Sequence, residues 1–110
     1  MQRLVLAAAL AMGLLPACSA GSASHVGESS SYKLYTHCGV REARIGNDYF
    51  VAMHPLDDGS GNPPQGWGNP YQQGRMKRIS STVAVFTDAR GHRVEFRLRP
   101  SATAFQQVCS

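Results

Sequence analysis

The segment at 82–98 constrains the fold most, because it specifies both a pair of strands and the register between them. Its two ends, 82–87 and 92–98, are rich in β-branched and aromatic residues, which favour strands. The connection between the two ends begins with Asp88 and finishes with Gly91. Asp followed three positions later by Gly is typical of a type I turn with a left-handed glycine, a loop that joins antiparallel strands. The segment therefore predicts a β-hairpin.

Counting outward from the turn gives the register of this hairpin. Phe86 then opposes Val94, and Ala84 opposes Phe96, so one face is apolar on both strands. The opposite face carries charged side chains, and a shift of one residue would bury them. The pattern thus predicts a single register. The charged residues of this outer face are Arg93, Glu95, Arg97 and Arg99.

An earlier segment, 32–40, alternates between the two faces of a predicted first strand. One face carries Leu34, Thr36, Cys38 and Val40, so the sulfur of Cys38 is expected to point into the core. The other face carries Lys33, Tyr35 and His37.

Two more segments complete the predicted sheet. Residues 42–53 predict a second hairpin, because the Gly, Asn and Asp at 46–48 tolerate turn conformations. The apolar run after that turn predicts a strand near the centre of the sheet. Residues 75–79 predict a further strand, which a turn near Ser80 joins to the hairpin at 82–98.

The last residues, after Pro100, fit either a helix or a strand, and both place Phe105 and Cys109 towards the core. Together the patterns predict one small all-β domain at 32–110. We expect an antiparallel meander or a partly open barrel of about five to six strands, with one long loop rich in glycine and proline.

The amino-terminal residues predict export. A short polar start with Arg3 precedes an apolar run at 4–15, and small residues follow. The run is shorter than the roughly 20 residues that a membrane-spanning helix needs, and small residues after it are typical of a signal-peptidase site. We therefore expect residues 1–17 to be a signal peptide. Residues 18–31 are small and polar apart from Val26, and are expected to form a flexible tether.

The sequence Leu15-Pro16-Ala17-Cys18 resembles the lipobox of bacterial lipoproteins, in which the cysteine is lipidated and becomes the first residue of the mature protein. The resemblance covers only the leader, and Pro16 departs from the small or β-branched residue usual at its position. It implies lipidation of Cys18 and attachment to the outer side of the cell membrane. The alternative is ordinary signal-peptidase cleavage near Ala20, which would release a secreted protein.

The chain has three cysteines, and an odd number in an exported protein requires an explanation. Lipidation of Cys18 would leave Cys38 and Cys109 to form a disulfide. That bond would close a loop of roughly 70 residues and contribute about 4 kcal/mol in the chain-entropy model, which suits a domain with a small core. A zinc site is not expected, because no second ligand lies at metal spacing from either cysteine.

Residues 54–74 predict a long loop, because proline and glycine recur throughout. The loop contains Trp67, the only tryptophan, and Tyr71. Two hypotheses follow. Either Trp67 packs over an open end of the sheet and orders the loop, or Trp67 and Tyr71 are exposed and form a stacking platform for a sugar or a peptide.

The charge is +4 at neutral pH, and the cations concentrate in the last third of the chain. Arg93, Arg97 and Arg99 share the predicted outer face of the hairpin. Outside the cell, such a face would contact anionic lipid headgroups or acidic wall polymers rather than nucleic acid. The alternative is a solvated face that protects the sheet from edge-to-edge association.

The sequence contains no recognisable catalytic arrangement. His54, Asp57 and Ser60 crowd into one loop, without the strand-to-helix turn that exposes a nucleophile. No phosphate-binding loop, dinucleotide fingerprint or CxxC pair occurs, so no cofactor is expected.

We therefore predict a binding or structural module of the cell envelope rather than an enzyme. Its partners would be the membrane, through the lipid on Cys18, and either anionic envelope components or an envelope protein. The alternative is a secreted enzyme or enzyme inhibitor acting in the same place. A deep cleft that holds His54 or His92 against an acidic residue would favour that alternative.

Overall fold

The computed structural model describes residues 26–109, which form one antiparallel sheet of six strands. The sheet curls into an open half-barrel, in the order β1-β4-β5-β6-β3-β2, and its edge strands β1 and β2 approach one another without pairing. This confirms the predicted all-β, partly open architecture. The strands are β1 (Ser29–Tyr35), β2 (Val40–Ile45), β3 (Asp48–Leu56), β4 (Tyr71–Arg78), β5 (Val83–Thr87) and β6 (Arg93–Leu98). The described part of the chain has no helix that could cross a membrane.

The hairpin of β5 and β6 has the predicted register. Phe86 pairs with Val94, and Ala84 pairs with Phe96. Gly91 has a φ of 88°, as the left-handed position of the turn requires. The predicted meander of the last third is also present, because β4 pairs with β5 through the turn that follows Arg78.

The inner face of the curled sheet carries the core. Phe50, Phe86 and Phe96 come from three neighbouring strands, and each is fully excluded from solvent. Gly74 of β4 leaves room for this packing, because a Cβ atom there would overlap the Phe86 ring and the Thr87 carbonyl. The other buried apolar residues of the cluster are Leu34, Val40, Ala43, Ala52, Met76, Ala84 and Val94.

β1 begins three residues before the predicted domain boundary. Ser29 pairs with Lys77 and Ser31 pairs with Arg75, so β1 includes three residues that the sequence pattern assigned to the tether. The serines join the sheet because β4 offers backbone partners, and the Arg75 guanidinium also donates to the Ser29 hydroxyl at 3.0 Å. Residues 1–25, which include the predicted signal peptide and lipidation site, lie outside the described residues.

β1 also ends earlier than the alternation predicted, at Tyr35. The chain turns at 36–39, where Cys38 has a φ of 70°, and Val40 then opens β2. Thr36 and Val40 are buried as predicted, but Cys38 is only half-buried because it lies in the turn rather than in a strand.

The long loop is shorter than predicted, covering 57–70 rather than 54–74. β3 continues to Leu56, which pairs with Val40 of β2, and β4 begins at Tyr71, which pairs with Tyr35 of β1. Both strands are thus longer than predicted. They include residues whose proline and glycine content had predicted a loop, because neighbouring strands offer them backbone partners.

Residues 99–109, called the tail here, form neither of the two predicted elements. Phe105 is 44% exposed, so the prediction that it points into the core is wrong. Its ring instead packs edge-on against the Tyr49 ring, with centroids 5.1 Å apart. The buried core cluster is formed by residues of the strands and does not include Phe105.

The open side of the half-barrel is bridged by one side chain of β1. The Tyr32 hydroxyl donates a hydrogen bond to the Arg44 carbonyl (2.8 Å) and accepts one from the Arg44 amide (3.1 Å). Burial raises the pKa of Tyr32, against the opposing effect of the bond to Arg44, so the hydroxyl remains a donor at neutral pH. Tyr32 therefore satisfies backbone groups of β2 that face away from β3.

Replacing Tyr32 with Phe should destabilise the fold by about 1 kcal/mol, because it removes both bonds to Arg44 and keeps the ring. Urea denaturation of the purified domain measures this difference. Tyr35→Phe, on the opposite face of the same strand, is the control and should change the free energy of unfolding by less than about 0.5 kcal/mol. Equal losses in the two variants would contradict the bridging role of Tyr32.

Candidate functional site

A cleft of about 390 Å³ lies at the end of the sheet where β1, β2, β4 and the tail meet. We call it the tail cleft, because the tail forms one of its walls. Its lining is mostly apolar, with a few polar groups, which is typical of sites for small ligands. The side chains that matter for its chemistry are Tyr35, His37, Arg41, Glu42, Tyr71 and Phe105.

Two exposed tyrosines form one wall of the tail cleft. Tyr35 and Tyr71 are paired across β1 and β4, and their rings meet edge to face with centroids 5.4 Å apart. The two residues are 40% and 44% exposed. The His37 ring lies 6.2 Å from that of Tyr35, and the Lys33 ammonium lies 4.4 Å above the Tyr71 ring. We call Tyr35, His37 and Tyr71 the aromatic patch.

The tail is held in place by the carboxylate of Glu42. Its Oε1 accepts a hydrogen bond from the Gln106 amide at 2.8 Å, and its Oε2 accepts one from the Gln107 amide at 3.1 Å. Arg99 adds a third contact, 3.5 Å from Oε1, and donates to the Ala104 carbonyl at 2.8 Å. Arg99, predicted as a binding residue, is therefore engaged within the protein.

Cys38 and Cys109 lie against one another at the base of this wall. Their Cα atoms are 6.3 Å apart, a separation typical of disulfides, and the bond would join residues 71 positions apart. A ring nitrogen of His37 and both sulfur atoms lie within 4.8 Å of one another. Linear spacing did not predict this group of three, because only the fold brings Cys109 to His37.

Trp67 occupies a different place from Tyr71 and packs against the core. Its indole stacks on the His92 ring, with centroids 3.9 Å apart and planes 12° apart, and lies 6.2 Å from the Phe86 ring. This arrangement agrees with the first of the two hypotheses for the loop, in which Trp67 packs against the sheet. Trp67 does not line the tail cleft, so Tyr71 has Tyr35 as its aromatic partner.

Asp88 and His92 form a hydrogen-bonded pair beneath Trp67. The Asp88 side chain is fully excluded from solvent, and its Oδ2 lies 2.6 Å from His92 Nδ1. Its Oδ1 accepts hydrogen bonds from the backbone amides of Arg90 and His92, each at 2.9 Å. Burial alone would raise the pKa of Asp88, but the hydrogen bonds from His92 and Arg90 outweigh it and lower the pKa.

This pair bears on the enzyme alternative. His92 does meet an acidic residue, as an enzyme would require, but it lines neither the tail cleft nor the cleft beside Tyr32 and Met76. Trp67 covers one face of its ring. His54 lies exposed near the end of β3. The pair is therefore best explained as part of the turn of the hairpin.

The predicted basic face is present on the outside of the sheet. Arg93 and Arg97 of β6 are exposed, and so are Arg75 and Lys77 of β4. The register places Thr87 of β5 between Arg75 and Arg93. Of the three predicted binding arginines, Arg93 and Arg97 are therefore exposed on the outer face, whereas Arg99 contacts the tail.

Sequence reasoning did not select Tyr35 and His37 as site residues. The alternation at 32–40 placed both on the outer face, but the pairing of β1 with β4 was needed to bring Tyr71 alongside.

Comparisons with protein-family models, curated proteins and solved structures find no match for the chain. The interpretation of the site therefore depends on its geometry.

The Asp88–His92 pair should make the domain less stable in acid. The pKa of Asp88 is lower in the folded than in the unfolded state, so its ionised carboxylate stabilises the fold. This contribution to the free energy of unfolding is complete above the unfolded-state pKa, and it is lost as the pH falls through the folded-state pKa. Urea denaturation from about pH 5 to pH 2 should show a loss of stability that is smaller in Asp88→Asn.

Asp58→Asn is the matched comparison for that experiment. Asp58 also has a lowered pKa, mainly from the backbone amides of Ser60 and Asn62, but it lies in an exposed turn. Its substitution should remove less of the acid sensitivity, because water screens its charge. An Asp88→Asn variant with the full acid sensitivity of the unmodified protein would contradict the assignment.

Proposed function

We propose that the domain is a binding module of the cell envelope that holds its ligand in the tail cleft, against the aromatic patch. The observation that carries this proposal is the pair of rings, Tyr35 and Tyr71, each about two-fifths exposed on the wall of a cleft. Aromatic rings in a concave site with a few polar groups suit a ligand that has one flat apolar face.

A sugar ring with a carboxylate is the ligand class that fits the wall best. The free face of one tyrosine would stack on the apolar side of the sugar, and the other ring, inclined at 62° to it, would contact the rim of the sugar. The two hydroxyls and His37 would bond its polar groups. The Lys33 ammonium beside Tyr71 supplies a positive charge for the carboxylate. The other charged groups are already engaged, since Arg41 pairs with Asp57 at 2.9 Å and Glu42 holds the tail.

The direction of β1 supports a wall polymer rather than a membrane lipid as the ligand. The lipid anchor proposed at Cys18 would precede Ser29, at the start of the strand, whereas Tyr35 lies at its far end. A strand of this length spans about 20 Å. The tail cleft would therefore lie about one strand length beyond the point at which a tether from Cys18 joins the sheet.

Tyr71→Ala should weaken the binding of soluble muramic-acid-containing disaccharides by about tenfold, the loss expected for one stacked ring. Chemical shifts of the isotope-labelled domain during titration measure this affinity. Arg97→Ala, on the outer face, is the control and should bind as the unmodified protein does. Unchanged binding by Tyr71→Ala would contradict the proposal, and a loss confined to Arg97→Ala would assign binding to the basic face.

The proposed anchor is tested by the mass of the mature amino terminus. We expect a diacylglyceryl group on Cys18 in protein purified from membranes, and a Cys18→Ser variant that is absent from the membrane fraction. An unmodified terminus beginning near Gly21 would contradict lipidation and indicate a secreted protein.

A further inference from the structure

We propose that His37, Cys38 and Cys109 bind one zinc ion when the two cysteines are reduced. A ring nitrogen of His37 and the two sulfur atoms, which are joined in the disulfide, lie within 4.8 Å of one another, so the fold gathers three potential ligands at one place. Two thiolates and an imidazole are among the common ligand sets of zinc in proteins. The zinc site would share His37 and the tail cleft with the proposed sugar site, but the inference is argued from the ligand set alone and does not rest on the proposed function.

A tetrahedral metal sets the spacing that the three ligand atoms must reach after reduction. Zinc lies about 2.3 Å from sulfur and about 2.0 to 2.1 Å from nitrogen, which places ligand atoms of one site about 3.5 to 4 Å apart. Cys109 belongs to the irregular tail and Cys38 to a turn, so neither sulfur is fixed by a strand. After reduction the two sulfur atoms must separate to this spacing, which requires the end of the tail at Cys109 to move relative to the turn at Cys38.

The surroundings of His37 support its role as a ligand. Its Nδ1 lies 3.2 Å from Oδ1 of Asn69, which can accept the Nδ1 proton. That hydrogen bond favours the tautomer with a lone pair on Nε2, and metal-binding histidines are commonly oriented by such an outer partner. All three ligands line the tail cleft, so a water molecule could occupy the fourth position from there.

The disulfide and the zinc site exclude one another. A dithiol reductant would supply two electrons and two protons to the Cys38–Cys109 bond and would itself become a disulfide. Zinc would then displace the two thiol protons, which pass to solvent, and form two bonds to sulfur. The tail would be joined to the turn at 36–39 in both states, first by a covalent bond and then through the metal.

Zinc titration of the purified chain tests the proposal. All variants carry Cys18→Ser, so that only Cys38 and Cys109 provide thiols, and the protein is reduced without oxygen by a phosphine, which is removed before zinc or cobalt is added. Native mass spectrometry should show one metal per reduced chain and none per oxidised chain. Cobalt should also give the absorption bands of thiolate coordination.

His37→Ala should weaken zinc binding at least about tenfold, because it removes one of three protein ligands. His54→Ala, which changes an exposed histidine elsewhere, is the control and should bind zinc as the parent does. Fluorescence of Trp67, which is packed against the core, reports whether each reduced protein is folded. Equal zinc affinity in the parent and in His37→Ala, or binding only to unfolded chains, would overturn the proposal.

Discussion

The packing of three phenylalanines under a sheet that does not close is the constraint on which the structure depends. Phe50, Phe86 and Phe96 fill the inside of the curl, and both edge strands are needed to cover them. β1 and β2 form no ladder with each other, so side chains must hold the two edges together. Tyr32 links β1 to β2, and the tail links the end of β6 to Glu42 of β2 and to Cys38 in the turn at 36–39.

The same requirement creates the candidate site. A tail that crosses from β6 to Glu42 and Cys38 shields the end of the half-barrel and leaves a cleft between itself and the sheet. The aromatic patch lines that cleft on the opposite side. Binding at this place would thus depend on contacts whose structural effect is to complete the domain, and the state of the cysteines would bear on both stability and recognition.

Local patterns predicted the parts of the fold that local forces determine. The alternation of apolar and polar residues and the turn from Asp88 to Gly91 predicted the register of the hairpin. Both signals depend only on residues that are close together in the sequence. The tether boundary, the course of the tail and the aromatic patch depend on partners far along the chain, such as Ser29 with Lys77. The alternation of side chains along 32–40 predicted that Tyr35 lies on the outer face. No local pattern could show that Tyr71 would lie beside it.

The central claim is that the tail is a folded wall of the domain, held by Glu42. Hydrogen exchange at the backbone amides of Gln106 and Gln107 tests this most directly, because both donate to that carboxylate. The account predicts exchange at least about tenfold slower than in an unstructured peptide of the same sequence. Exchange of both amides at the unstructured rate would show that the tail is free, and would contradict the account.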